Sequence, residues 1–165
     1  TNAQKNVLAE IYDDQAQPYR MLRLLQGDVG SGKTIVAFLA CLSVISAGYQ
    51  VAFIAPTEAL ASQHFSTFMK YAHDLGINVD LVIAKNRKYR REQQNGLYNG
   101  KTQLVVGTHA LLEDNIQFNK LGLAIIDEQQ RFGVMQRMKL IEKGNVIRFL
   151  FLFDVIQYEW VIRLV

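Results

Sequence analysis

Gly27-Asp28-Val29-Gly30-Ser31-Gly32-Lys33-Thr34 matches the pattern G-x-x-x-x-G-K-[ST] at every fixed position. The run Met21 to Gln26 ahead of it is short and apolar, which predicts a strand, and Lys33 to Ala47 behind it has helical period. In that setting the glycines let the backbone turn so that successive N–H groups point inward, and the positive end of the helix dipole adds to the same concavity. Nucleotide phosphates belong there. Lys33 is predicted to reach the β- and γ-phosphates of ATP as a point charge, and the Thr34 hydroxyl to complete the octahedral shell of a magnesium ion. A glycine-rich turn that binds nothing is the plain alternative, and the flanking strand and helix both count against it.

Outward from this loop, apolar runs of strand length alternate with segments of helical period. The runs are too short and too rich in Val, Ile and Leu to be half-exposed hairpins. Strands are expected at Gln50 to Ala55, Val79 to Ile83, Gln103 to Val106 and Leu123 to Ile126, with helices at Ala59 to Leu75 and Arg87 to Tyr98. Gly48, Gly76 and Gly100 stand where those helices should stop. The order implies βαβ units, hence an α/β fold with a parallel sheet flanked by helices. Its ligand should sit at the C-terminal strand ends, where the loops after Gln26, Ala55, Val106 and Ile126 converge.

The 165 residues suit a single domain, and with 50% apolar and 20% charged residues the balance is that of a folded globular chain. A net charge of +3 neither demands a polyanionic partner nor excludes one. Cys41 is the only cysteine and reads as core filler, which excludes an intramolecular disulfide and favours a reducing, cytoplasmic setting. His64, His73 and His109 lack ligand-like spacing, so no zinc site is expected. The start Thr1-Asn2-Ala3-Gln4 does not read as a secretory signal. Arg148, Asp154, Glu159 and Arg163 interrupt the apolar stretch Val146 to Val165, so a membrane span is not expected either.

A phosphate cradle needs a second half to anchor magnesium and polarise a water. Leu123-Ala124-Ile125-Ile126-Asp127-Glu128 supplies it: an apolar strand ending in adjacent carboxylates. Asp127 is predicted to face the magnesium shell and Glu128 to act as general base on the attacking water. A solvated turn would be the reading of Asp127 alone. Paired with the P-loop, the two say NTPase rather than dehydrogenase, because no G-x-G-x-x-G with an acidic ribose reader is present.

Four stretches in order, GDVGSGKT at Gly27 to Thr34, APTEALASQHF at Ala55 to Phe65, VVGTHALL at Val105 to Leu112 and IIDEQQRFGVMQR at Ile125 to Arg137, resemble the RecG-type branched-DNA helicases of bacteria, within superfamily 2. The tract Arg131-Phe132-Gly133-Val134 is also similar to the transcription-repair coupling translocase and, more distantly, to the primosomal helicase; the surroundings of Gln129 favour the RecG type. The resemblance runs from Thr1 to about Gly144. It implies a RecA-like P-loop domain over 1–144, with 145–165 a divergent apolar tail in which Phe149 to Phe153 can supply one further strand.

The resemblance further implies an ATP-dependent motor acting on branched or forked DNA in repair and recombination. Gln4 would read adenine through its two-sided amide, with an exposed helix residue as the equal alternative. Pro56, Thr57, Gly107, Thr108 and His109 would face the DNA backbone, holding phosphates without reading bases; Thr57 can cap a helix as well. Lys85, Arg87, Lys88, Arg90 and Arg91 form a basic run able to track phosphates, and Lys88, Arg90 and Arg91 are the expected contacts, against the alternative of a solvated helix start.

This chain departs from the family pattern in three places. Gln130 replaces the histidine that couples nucleotide state to the next motif, and Ile83-Ala84-Lys85 replaces a Thr-Gly pair. After Gly144 the Ser/Thr-Ala-Thr-Pro motif is replaced by Asn145 to Val165, and neither a second RecA-like domain with its arginine finger nor an amino-terminal wedge follows from these residues. A deliberately cut chain, a split gene and the remnant of a frameshifted gene all fit. The competing expectations are therefore a motor domain that contributes half a translocase site, not unwinding DNA by itself, and a nucleotide-holding remnant without turnover. A P-loop kinase of small molecules would leave the Thr-His-Ala and Gln-Arg-Phe-Gly motifs unexplained.

Overall fold

The computed structural model describes residues 1–85, 90–127, 133–144, 148–154 and 161–164. Its strands are β1 (Leu22–Gly27), β2 (Gln50–Ile54), β3 (Val79–Val82), β4 (Leu104–Gly107), β5 (Leu121–Asp127), β6 (Arg148–Asp154) and β7 (Val161–Leu164). Its α-helices are α1 (Asn2–Gln15), α2 (Lys33–Ser46), α3 (Glu58–Ala72), α4 (Arg90–Tyr98) and α5 (Val134–Glu142), with short 3-10 turns at His73–Leu75 and His109–Leu112. Among the described residues the strands form one seven-stranded sheet in the order β3-β4-β2-β5-β6-β1-β7. Every pairing from β3 across to β1 is parallel, as expected. β7, which periodicity did not reveal, closes the far edge by running antiparallel to β1. An antiparallel edge on a parallel sheet is a common arrangement, and it covers backbone donors that β1 would otherwise expose.

Chain direction explains which helix covers which face. The crossovers from β1 to β2 and from β2 to β3 travel one way across the sheet and put α2 and α3 on one side. The connections from β3 to β4 and from β5 to β6 travel the opposite way and put α4 and α5 on the other, as right-handed crossovers require. Strand residues then divide by parity. Leu25, Val51, Phe53, Val106, Ile125, Leu150 and Leu152 point into the layer of α1, α2 and α3. Ala52, Ile54, Val105, Ala124, Ile126, Phe149 and Phe151 point into the layer of α4, α5 and the His109 turn. Burying both faces is why these strands read as continuous apolar runs, each large buried side chain contributing about 1.5–3 kcal/mol.

α2 is buried nearly all round, through Val36, Ala37, Phe38, Ala40, Cys41 and Val44, because α1 covers its outer side. α1 presents Val7, Ile11 and Gln15, spaced at four, to that contact, and Gln15 Nε2 donates to the Ala40 carbonyl at 3.3 Å. Desolvation pushes the Cys41 thiol well above its ordinary range, so it stays protonated and fills the core. The helix expected to run to Leu75 turns to 3-10 geometry at His73 and ends at Gly76, which has φ 64°. α1 and α5 were not among the expected helices, and no described helix is long and apolar enough to cross a membrane.

β6 comes from the segment beyond Gly144 and lies between β5 and β1, parallel to both. The P-loop strand and the Asp127 strand are thus held together through the residues Arg148–Asp154.

Candidate functional site

At the C-terminal edge, neighbouring strands end in a row that follows the sheet order. β4 ends at Gly107, β2 leads to Pro56, β5 ends at Asp127, β6 at Asp154 and β1 at Gly27. Asp127 lies two positions beyond Ile125, Asp154 two beyond Leu152 and Gly27 two beyond Leu25, so all three share the face that carries α2 and α3.

The P-loop closes on itself before it meets any ligand. Ser31 N–H donates to the Asp28 carbonyl at 3.1 Å, and Val29 stands at the exposed tip. Gly30 and Gly32 take φ of 78° and 87°, where a Cβ would be strained. Gly32 caps α2 without a side-chain cap, so the first-turn N–H groups are left facing the loop's concavity. Such a ring of donors fits phosphate oxygens. Lys33 folds back over the loop: its Nζ donates to the carbonyls of Gly27 at 2.9 Å and Asp28 at 2.6 Å and to Ser31 Oγ at 3.3 Å. The same Nζ pairs with Asp154 Oδ1 at 2.7 Å. Thr34 follows in the first turn of α2.

Gln4 is half-buried in the first turn of α1 and reaches the P-loop. Its backbone N–H donates to the capping hydroxyl of Thr1 at 3.2 Å, and its side-chain Nε2 donates to the Ser31 carbonyl at 3.0 Å. It therefore leans on the P-loop, with its amide beside Gly32, where an added Cβ would lie 2.5 Å from Gln4 Nε2.

The loops expected to meet DNA lie side by side. Ile54 pairs with Gly107 in the parallel ladder, and Ala55 N–H donates to the Gly107 carbonyl at 2.8 Å. Thr57 Oγ1 accepts from Leu60 N–H at 3.2 Å and caps α3; Thr108 Oγ1 accepts from Ala110 N–H at 3.4 Å. Capping uses an acceptor lone pair, so each hydroxyl keeps its O–H to donate to a phosphate. Gly107 needs to be glycine, because a Cβ would lie 2.5 Å from the Val82 carbonyl oxygen and 2.8 Å from Leu111 Cγ. Gly107→Ala should lower stability by about 1–3 kcal/mol, read as a reduced urea midpoint at unchanged slope; an unchanged midpoint would mean that β3 and β4 part at no cost.

The basic run divides. Arg90 donates to Glu113 Oε1 at 2.8 Å and is mostly buried, whereas Arg91 is exposed and Lys85 lies 3.8 Å from Glu58. Arg90 therefore fastens α4 to the loop after the His109 turn. Glu128, Gln130 and Lys88 lie outside the described residues, with Arg87 and Gln129.

One contact was not foreseen. His64, on α3, stands 2.9 Å from Asp127 through its Nε2 and Oδ2. The usable signal was its place between Ala61 and Phe68, on the buried stripe of an otherwise polar-backed helix.

A sequence profile of the DEAD/DEAH box helicases matches residues 1–152. The ATP-dependent DNA helicase RecG of Escherichia coli is 52% identical over 146 residues, a stretch covering 88% of this chain and 21% of that protein. RecG of Aquifex aeolicus is 48% identical over 146 residues, covering 88% and 18%. A structure of RecG bound to a three-way DNA junction superposes with a TM-score of 0.80 at 42% identity, over 92% of this chain and 20% of that one. The Mycobacterium smegmatis helicase Lhr bound to ssDNA and AMP-PNP gives 0.63 at 17% identity, over 84% of this chain and 20% of that one, a likeness of fold alone. The chain spans about a fifth of the length of the RecG proteins it matches.

Proposed function

The chain belongs to the DEAD/DEAH box helicase family, and from that premise we propose that it is the ATP-binding motor domain of a DNA helicase or translocase acting on branched DNA in repair and recombination. The observation that carries this reading is the strand-end row, with the glycine-rich loop at one end, the paired Pro56 and Gly107 loops at the other and Asp127 between them. Lys33 and the first-turn N–H groups of α2 bind the β- and γ-phosphates, while Gln4 contacts adenine. Thr34 and Asp127 hold magnesium, which when bound neutralises phosphate charge. Glu128 takes the proton of the attacking water, and Gln130 relays nucleotide state by hydrogen bonds, since an amide cannot carry the proton that a histidine could. Pro56, Thr57, Gly107, Thr108, His109, Lys88 and Arg91 hold DNA phosphates without reading bases. A second RecA-like domain is the proposed protein partner, and the cytoplasm the proposed location.

A second reading, a module that holds nucleotide without turning it over, is favoured by the ion pair between Lys33 and Asp154. It sets a competing carboxylate against the γ-phosphate at the strand end where the family motif would supply hydroxyls.

The motor reading is tested by fluorescence anisotropy with a three-way junction across a salt series. Binding is expected to be weak, indifferent to sequence and salt-sensitive. Replacing Lys88 and Arg91 together with alanine should reduce the log-log slope by about 0.9 for each phosphate no longer neutralised. Arg90→Ala should instead lower stability, because Glu113 is left without its guanidinium, with little change of slope. An unchanged slope in the double variant would make the run a solvated surface.

A further inference from the structure

We propose that His64 is a positioning residue that ties the Asp127 carboxylate to α3, so that a DNA phosphate held at Pro56 and Thr57 and a magnesium ion held at Asp127 are sensed through one rigid helix. The proposal rests on the reading of Asp127 as the magnesium-facing carboxylate.

The geometry is specific. An ionised carboxylate only accepts hydrogen bonds, so the 2.9 Å contact requires His64 Nε2–H to donate to Asp127 Oδ2. Both side chains are largely shielded, at 14% and 21% exposure, where such a bond is less weakened by water than at the surface. The imidazole is also fixed in place. Its centroid lies 4.6 Å from the Phe53 ring and 6.0 Å from the Phe68 ring, and Phe53 and Phe68 pack edge to face at 5.0 Å. Phe53 pairs in register with Ile125 on the strand that ends at Asp127. The donor is therefore held by the same packed layer that holds its acceptor, with Oδ2 as the oxygen engaged.

α3 connects this bond to the nucleic-acid loops. Thr57 caps the helix, and His64 follows two turns later on the same side as Ala61 and Phe68. Glu58, beside the cap, accepts from Ala84 N–H at 3.0 Å and so links the helix start to the segment after β3. A shift of the Thr57 end on phosphate binding is carried along α3 to His64, and from there to Asp127. By linkage, magnesium at Asp127 must bias phosphate binding by the same factor. The route is separate from that through Gln130, because it leaves the sheet from β2 and returns to β5.

The test is a magnesium titration of the binding of a fluorescent ATP analogue to the full chain, with and without a three-way junction. His64→Phe keeps the aromatic packing and removes the donor. His64→Gln places an amide N–H near the position of Nε2. His64→Phe should weaken analogue binding about tenfold in magnesium, the loss of roughly one charge-assisted hydrogen bond, and leave binding in chelator unchanged. His64→Gln should recover most of the affinity, and the effect of DNA on magnesium-dependent affinity should shrink in His64→Phe. Equal weakening with and without magnesium would make His64 a packing residue only and overturn the proposal. A wild-type magnesium response in His64→Phe would overturn it too, while Asp127→Asn, if it loses that response, leaves the reading of Asp127 standing. Asp127→Asn titrating like the wild type would overturn both.

Discussion

Lys33→Ala should weaken ATP binding by on the order of 10- to 100-fold, the loss of a charge-assisted hydrogen bond at about 1.5–3 kcal/mol. The ammonium is presented by the first residue of α2, is only 10% exposed, and is held over the loop by the carbonyls of Gly27 and Asp28. It is therefore held in place over the loop by these contacts. The wild-type interactions are of a kind that a bound phosphate can replace, since each partner of Nζ is an oxygen. Alanine leaves the first-turn N–H groups of α2 in place, so weak residual binding should persist. Isothermal calorimetry on the folded variant reads the effect. A dissociation constant within about threefold of wild type, less than 1 kcal/mol, would mean that phosphates are not bound at this loop.

Assayed as these 165 residues, the chain should bind ATP yet turn it over very slowly, by a factor on the order of 10³ to 10⁵ below an assembled motor. In motors of the resembled type the γ-phosphate lies between two RecA-like domains, and the arginine that neutralises transition-state charge arrives from the second. The seven-stranded sheet of the described residues brings the first-turn donors of α2 to one strand end, where Asp154 Oδ1 lies 2.7 Å from Lys33 Nζ. Binding needs only the local half. The measurement is steady-state ATPase with and without forked DNA, beside Glu128→Gln, which keeps the shape of the side chain and removes the base. Robust DNA-stimulated turnover that vanishes in Glu128→Gln would make the chain a self-sufficient motor.

What could be read directly from the residues was whatever local chemistry specifies. Gly30, Gly32 and Lys33 announce a phosphate loop through backbone freedom and charge, and the Val- and Ile-rich runs announce strands buried on both faces. Asp127 was legible as the carboxylate that ends an apolar strand, whereas its sharing a face with the P-loop strand follows only from the pairing of β5, β6 and β1. The pairing of His64 with Asp127 was not legible, because it joins residues that only the crossover from β2 to β3 brings together. His64 taken alone is a histidine without a partner of known spacing. The pairing of Arg90, expected as a DNA-phosphate contact, with Glu113 was hidden for the same reason: Glu113 reaches it only once α4 has folded across the sheet. β7 escaped notice because a short edge strand differs little in composition from the apolar tail around it.

The central place of β6 has a consequence for the order in which the chain can acquire its structure. Leu22 must find Phe149, and Gly27 must find Asp154, with nearly the whole domain intervening. Closing so long a loop is entropically slow, and parallel pairing yields no return until it is closed. On a ribosome β1 and its phosphate loop would emerge early and wait, while β2, β3, β4 and β5 assemble among themselves from nearer neighbours. During that interval β1 and β5 each present an unpaired hydrogen-bonding edge, the kind of surface that recruits other chains. The Phe-Leu-Phe-Leu-Phe stretch at Phe149 to Phe153 then acts as a keystone: the last central strand to be synthesised is the one that makes the two halves of the sheet a single body.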